Sequence, residues 1–185
     1  FPDAKRAEQL IKSAGKAAPK GLSADDLADA LQSAWRAFHA GDFELAFTLG
    51  SALGPVGTSV AAKALGIHTT YLVKKAEDKL VRFEQVAQLA EQAVIALPKE
   101  ANSHYRHAFG YGRYGQGISI ANALSTGLAG KIKTALDTCL KLDPKHAEAH
   151  LASALWHAEI INKVGGTLAG LTYGAKRKTA EEHMK

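Results

Sequence analysis

Apolar residues recur at three- and four-residue intervals through most of this chain, the spacing that gathers side chains on one face of a helix. The clearest case is 131–159, which predicts two helices packed against each other around a break at Asp143-Pro144. Pro144 fits the first turn of a helix and Asp143 is a good cap, so we expect the second helix to begin there. The apolar positions of this pair are Ile132, Leu136, Cys139 and Leu140, then Ala147, Leu151, Ala154, Leu155 and Ala158.

The same spacing predicts helices along the rest of the chain. A short helix, 3–13, and a linker rich in Gly, Pro and Lys, 15–21, precede a capping signature at Ser23. We therefore divide the chain into an N-terminal helix with its linker, 1–22, and a helical domain, 23–185. The remaining predicted helices are 23–41, 43–53, 58–72, 80–97, 101–114 and one that begins at 175.

Two motifs in this pattern are typical of a helical repeat. Gly41-Asp42-Phe43-Glu44-Leu45-Ala46 is very like the Gly-Asp-Tyr-x-x-Ala turn between the helices of a tetratricopeptide repeat, and Leu142-Asp143-Pro144 resembles the junction between two such repeats. The Pro breaks at 55, 98 and 144 recur at about 45 residues instead of the usual ~34, so the repeats are irregular. Glycines at 110, 112, 115 and 117 interrupt the end of the helix 101–114, and an apolar stretch, 118–124, and a loop, 125–130, follow, which predicts an inserted Gly-rich hairpin. A second one is predicted at 165–174.

These motifs, together with 101–105 and with Gly165-Gly166 leading into 180–183, resemble the tetratricopeptide-like family that includes the periplasmic partner proteins of tripartite (TRAP-type) transporters and the regulators of microtubule dynamics. The resemblance implies an all-α, right-handed solenoid of about four irregular helix pairs with Gly-rich insertions. It also implies a scaffold that holds a protein or peptide partner on its concave face. The inserted hairpins would supply homo-oligomer contacts or close one end of the groove.

The resemblance also suggests which residues line that face. The set consists of Trp35, His39, Tyr105, Phe109, Arg113, Tyr114, Leu151, Leu155 and Glu159. An apolar and aromatic lining with a few charges suits a peptide helix or an apolar ligand. Trp35 and Phe109 could instead belong to the core, whereas Tyr105, Arg113 and Tyr114 are expected to be accessible because Tyr and Arg suit half-wet surfaces.

The histidines suggest a different chemistry. His146, His150 and His157 fall on one face of the predicted helix, and histidines at helical spacing can bind a transition metal. No Glu or Cys completes a known ligand pattern, so these residues are weak candidates, and we expect neither a metal nor another cofactor. A pH-sensitive surface is an equally good reading of the same histidines.

Motifs of known enzymes are missing from the sequence. Gly110-Tyr111-Gly112-Arg113-Tyr114-Gly115 contains G-x-G-x-x-G, but it follows a helix and not a strand, so it lacks the context of a dinucleotide site. We therefore predict a non-enzymatic scaffold or adaptor. The alternative is a binder of a small apolar, lipid-like ligand in the same groove, accessory to a transporter. A third hypothesis is a metal-dependent protein that uses the histidines.

Composition and termini limit the setting in which such a protein would work. The net charge of +5 comes from dispersed Lys and Arg residues balanced by 18 acidic residues, which does not favour nucleic acid. The sequence has no run of apolar residues long enough to span a membrane. Cys139 is the one cysteine and is expected to be a small buried apolar residue. A start at Phe1 instead of Met suggests a processed, exported and periplasmic protein, with a cytoplasmic location as the alternative.

Overall fold

A computed structural model describes the backbone of residues 1–185 and the side chains of all of them except 120, 121 and 124. The predicted all-α class is confirmed, because 81% of the chain is helical and the described residues form no strand. The helices are α1 (Ala4–Ala14), α2 (Ala24–His39), α3 (Phe43–Ala52), α4 (Thr58–Tyr71), α5 (Ala76–Ala96), α6 (Ala101–Gly117), α7 (Ile120–Ser125), α8 (Leu128–Leu142), α9 (Ala147–Val164), α10 (Gly166–Leu168) and α11 (Arg177–His183).

Each helix packs chiefly on the next one along the chain. This holds from α1 through α6, and it continues from α6 to α8, from α8 to α9 and from α9 to α11. In addition, α2 contacts α4, α4 contacts α6, and α6 contacts α9. These four helices therefore form one layer, which we call the inner layer, and it is the layer that presents most of the predicted site residues.

The largest of the apolar clusters in the N-terminal half joins α1 to α2 and to the end of α5. Ala7 and Leu10 of α1 pack with Leu27 and Leu31 of α2, and Leu97 joins them from the end of α5. A direct ion pair crosses the same region, because Arg6 Nη2 lies 2.6 Å from Glu100 Oε2. The segment predicted as 1–22 therefore packs against the rest of the protein.

The C-terminal half has its own cluster, in which Leu136, Cys139 and Trp156 are buried together with Tyr105. The expectation that Cys139 is a buried apolar residue is confirmed, since its side chain is fully covered. Burial is also the main reason why the pKa of its thiol is raised to about 11.

Of the two helix starts predicted from capping residues, the structure confirms one and contradicts the other. The capping box at Ser23 is confirmed, with Ser23 Oγ accepting from Asp26 N at 3.1 Å and Asp26 Oδ2 accepting from Ser23 N at 3.1 Å. The predicted start at Asp143-Pro144 is wrong. Asp143 Oδ1 accepts from Lys145 N in a turn, and His146 caps α9 through Nδ1, which accepts from Ala149 N at 3.2 Å.

The Gly-rich stretches are helical where hairpins were predicted. Helix α6 continues through Gly110 to Gly117. Gly110 lies where α6 approaches the backbone of α5, at Ala87. The second stretch forms α10 and a π-helical turn, Ala169–Tyr173, bounded by Gly165 and Gly174 at positive φ. Glycine thus permits close helix contact in the first stretch and sharp chain reversal in the second.

Candidate binding groove

Six of the predicted site residues line one cavity, of about 320 Å³, between α6, α8 and α9. We call it the groove. Tyr105, Phe109 and Arg113 reach it from α6, at the four-residue spacing that keeps side chains on one face. Leu151, Leu155 and Glu159 do the same from α9, and Ile132 and Leu136 of α8 form the base.

The wall formed by α9 is apolar and open to solvent. Leu151 is 49% exposed and Leu155 is 55% exposed, and they lie one helical turn apart. Phe109 faces them from α6 and is partly buried. Neighbouring leucines that stay half-exposed beside an aromatic ring offer apolar area that a bound molecule could cover.

Polar residues close one end of the groove. Gln116 Nε2 donates to Glu159 Oε1 at 2.7 Å, which joins α6 to α9. Gln116 Oε1 accepts from Arg113 Nη1 at 3.3 Å, and the Arg113 guanidinium lies 5.8 Å from the Phe109 ring. These linked contacts hold Arg113 along the edge of the groove, with its charge directed towards the polar rim.

Tyr105 differs from the expectation of an accessible side chain. It is 9% exposed, and its ring belongs to the C-terminal cluster and lies 4.9 Å from the ring of His146. Burial is the main reason why the pKa of its phenol is raised. Tyr105 therefore supports the groove from beneath and offers only its edge to a ligand.

Trp35 and His39 lie at a different place from the groove. They line a second cavity, of about 510 Å³, between α1, α2, α4 and the start of α6. Their rings stack with centroids 6.1 Å apart. Tyr114 is partly buried and is not among the residues that line either cavity. The set that was predicted as one face is thus divided between two sites on the inner layer.

Two cations that sequence reasoning missed lie between these sites. Arg106 follows Tyr105 on α6 and is 6% exposed, with its Cζ 4.9 Å from the Tyr105 ring. Lys63 of α4 places Nζ 5.8 Å from the Trp35 ring and 3.9 Å from Glu148 Oε1. Nothing in the local sequence sets either residue apart from the many surface Lys and Arg residues, so only the packing of helices reveals the pair.

The three histidines proposed as weak metal candidates have separate hydrogen-bond partners, although the rings of His150 and His157 both pack against that of His183, with centroids 5.1 and 6.2 Å away. His146 caps α9 and its Nε2 lies 3.1 Å from Asn102 Oδ1. His157 accepts through Nδ1 from Lys176 N at 3.2 Å. Within the part of the chain that the structure describes, no three His, Cys, Asp or Glu side chains are placed to hold a metal ion.

His150 instead pairs with His183, a residue that the sequence did not single out. Their Nδ1 atoms lie 2.8 Å apart, and His150 Nε2 lies 3.0 Å from the carbonyl of Pro144. A carbonyl can only accept, so His150 Nε2 carries the proton and its Nδ1 accepts from His183 Nδ1. The bond requires that one of the two facing Nδ1 atoms is unprotonated, and it joins α11 to α9.

This pair predicts that the protein loses stability in mild acid. Burial, then the neighbouring His150, lowers the pKa of His183, and burial followed by Lys133 lowers that of His157. A histidine whose pKa is lowered in the folded protein is protonated in the unfolded state first as the pH falls. Its contribution to the free energy of unfolding is therefore complete above about pH 6.5 and is lost as the pH falls through the folded-state pKa. We expect the melting temperature to fall below that pH.

The histidine prediction is checked by thermal melts across pH 5 to 8, a range of about three units around the imidazole pKa. His183→Gln should reduce the slope in mild acid, and His39→Gln, at an exposed position on α2, should leave it unchanged. An unchanged slope in His183→Gln would show that the α9–α11 pair does not cause the loss.

We compared the chain with known protein families, curated proteins and solved structures. No family model, curated protein or solved structure matches the chain. The tetratricopeptide-like resemblance and the predicted export therefore stay predictions. Among the residues described, no helix is both long enough and apolar enough to cross a membrane.

Proposed function

We propose that this protein is a non-enzymatic binding protein, an irregular tetratricopeptide-like solenoid that holds an apolar segment of a partner protein in the groove. The observation that carries the proposal is the pair Leu151 and Leu155, half-exposed one turn apart and facing Phe109 across the cavity. An amphipathic helix buries anchors at this same spacing when it lies in a groove. The packing of each helix on its neighbour in the chain supports the solenoid part of the proposal.

A second function is favoured by the size of the groove. A cavity of about 320 Å³ with walls from three helices is within the lower range of small-molecule sites. A small apolar, lipid-like ligand would fill it without a protein partner. The third hypothesis, a histidine-dependent metal protein, gains no support because His146, His150 and His157 each bond to a different protein group.

The two functions are separated by native mass spectrometry of protein purified gently from its source. A discrete added mass of a few hundred daltons would favour the small ligand, on the order of one lipid-like molecule in the cavity. A bare chain or a bare oligomer would favour the scaffold. The mass would also give the oligomeric state and so test the expected homo-oligomer.

The partner-binding proposal predicts a loss of capture when the groove becomes charged. Leu151→Asp and Leu155→Asp should each remove a partner that the wild type retains, because a carboxylate would have to be buried unpaired in the complex. Both side chains are half-exposed, so the free energy of unfolding should change by only about 0.5 kcal/mol.

The matched control is Ile95→Asp, which places the same charge at an exposed apolar position on α5, outside the groove. It should retain the partner. If Leu151→Asp and Leu155→Asp retain the partner as well as Ile95→Asp does, the groove is not the binding site.

A further inference from the structure

Arg106 is a buried cation that makes no ion pair with a described side chain. It is 6% exposed, its Nε lacks a hydrogen-bond partner, and the ion pairs found among the described side chains do not include it. The face of the Tyr105 ring provides partial compensation at 4.9 Å. Burial lowers the pKa of the guanidinium, which is the direction expected for a cation removed from water.

Lys63 brings a second positive charge to the same place. Helix α4, which carries Lys63, packs on α6, which carries Arg106. Burial lowers the pKa of the Lys63 ammonium group, and repulsion from Arg106 adds to the effect. Glu148 opposes them, but its Oε1 lies 3.9 Å from Lys63 Nζ and its side chain is 52% exposed. A half-exposed carboxylate at that distance binds weakly and can move into solvent.

The position of the pair connects it with the groove. Arg106 lies against Tyr105, which lines the groove, and Glu148 lines the end of the groove opposite the Gln116–Glu159 bond. Lys63 and Arg106 do not line the groove themselves, but a ligand that fills the apolar part between Phe109 and Leu155 would end at Tyr105 and Glu148, the lining residues next to these two cations. Because the Glu148 carboxylate already lies beside Lys63, the Glu148 end of the groove has the size and charge to accept a carboxylate of a ligand.

We propose that Lys63 and Arg106 form a subsite for a carboxylate of the bound partner segment, an acidic side chain next to the apolar residues that occupy the groove. The incoming carboxylate displaces Glu148 from Lys63 and supplies the counter-charge that Arg106 lacks. This inference rests on the proposed function, since the apolar part of the segment is held by the groove. It adds that the partner segment is both apolar and acidic.

The test compares two probes that share an apolar chain, sodium octanoate and 1-octanol, by calorimetric titration of the whole protein. We expect octanoate to bind about tenfold more tightly, because a charge-assisted bond to a desolvated cation is worth at least one factor of ten in affinity. Arg106→Gln and Lys63→Gln should reduce octanoate binding to the level of octanol. Lys141→Gln, at an exposed position on α8, should bind both as the wild type does.

Each result has a defined meaning. Equal binding of the two probes by the wild type, or a preference that survives in both Arg106→Gln and Lys63→Gln, overturns the carboxylate subsite and leaves the groove intact. Binding of neither probe overturns the carboxylate subsite, whereas the proposed function fails only if Leu151→Asp and Leu155→Asp retain the partner. A preference for octyl phosphate over octanoate would replace the carboxylate with a phosphate and overturn the inference as stated.

A second arm identifies the source of the carboxylate. In the partner-capture experiment, Arg106→Gln should lose the partner as Leu155→Asp does, whereas Lys141→Gln should retain it. If Arg106→Gln loses the octanoate preference but retains the partner, the carboxylate belongs to a small ligand, and the assignment to a partner segment is wrong.

Folding of the variants is a further readout. Arg106→Met removes an unpaired buried charge and replaces it with an apolar side chain of similar length, so it should melt at or above the wild-type temperature. A lower melting temperature would show that Arg106 serves the fold. Lys63→Gln, at a partly exposed position, would then carry the binding test, and retained octanoate preference in that variant would overturn the subsite.

Discussion

Gly110→Ala is expected to lower the free energy of unfolding by about 2–3 kcal/mol, the upper range for overpacking a tight contact. A Cβ at this position would lie 2.6 Å from the backbone N of Ala87 and 2.7 Å from its Cα. Backbone atoms of α5 cannot rotate away as the tip of a side chain can. Helices α5 and α6 would therefore have to separate along one of the closest contacts of the fold.

The control for this substitution lies two residues away in the same helix. A Cβ on Gly112 would meet nothing within 4 Å, so Gly112→Ala should raise the free energy of unfolding by up to about 1 kcal/mol through helix propensity alone. Chemical denaturation of both variants measures the contrast. If Gly110→Ala is as stable as Gly112→Ala, α5 and α6 do not approach as closely as described.

Trp156→Ala is expected to cost about 3–5 kcal/mol, as for other large aromatic residues removed from a core. Trp156 is buried in the C-terminal cluster beneath the groove, and its Nε1 donates to the carbonyl of Ala129 at 3.1 Å. The substitution leaves a cavity and removes the additional hydrogen bond to the Ala129 carbonyl at the start of α8. Thermal and denaturant melts should show the loss, together with weaker binding of any ligand in the groove.

Two further variants separate the causes of that loss. Trp156→Phe keeps most of the ring and removes only the hydrogen bond, so it should cost much less than Trp156→Ala. Leu155 directly precedes Trp156 but lies on the half-exposed face of α9, so Leu155→Ala should lower the free energy of unfolding by no more than about 1 kcal/mol. A loss in Leu155→Ala equal to that of Trp156→Ala would mean that the orientation of α9 is wrong.

The sequence was sufficient to predict where most of the helices lie, but not where some of them begin or how they pack against each other. Periodicity located α2 and α8 because amphipathic spacing depends only on local geometry. It failed at 110–117, where glycine is a poor helix former in isolation but allows α6 to lie against Ala87. It also placed the start of α9 at Pro144, because a histidine cap is a weaker signal than Asp-Pro.

The candidate site was predictable only within single helices. Tyr105, Phe109 and Arg113 share a face at four-residue spacing, and so do Leu151, Leu155 and Glu159, and the structure brings these two groups to one groove. The contact between Lys63 and Glu148, and the bond between His150 and His183, join residues far apart in the chain. Periodicity contains no information about such pairs.

The contact of α1 with the end of α5 has a consequence for the order of folding during synthesis. Leu97 completes the cluster that covers Ala7 and Leu10, and Glu100 supplies the carboxylate for Arg6. Helix α1 therefore lacks these partners until roughly ninety further residues have been synthesised, which takes on the order of ten seconds at typical rates of synthesis. During that interval the apolar face of α1 is only partly covered, which leaves it open to chaperones and proteases.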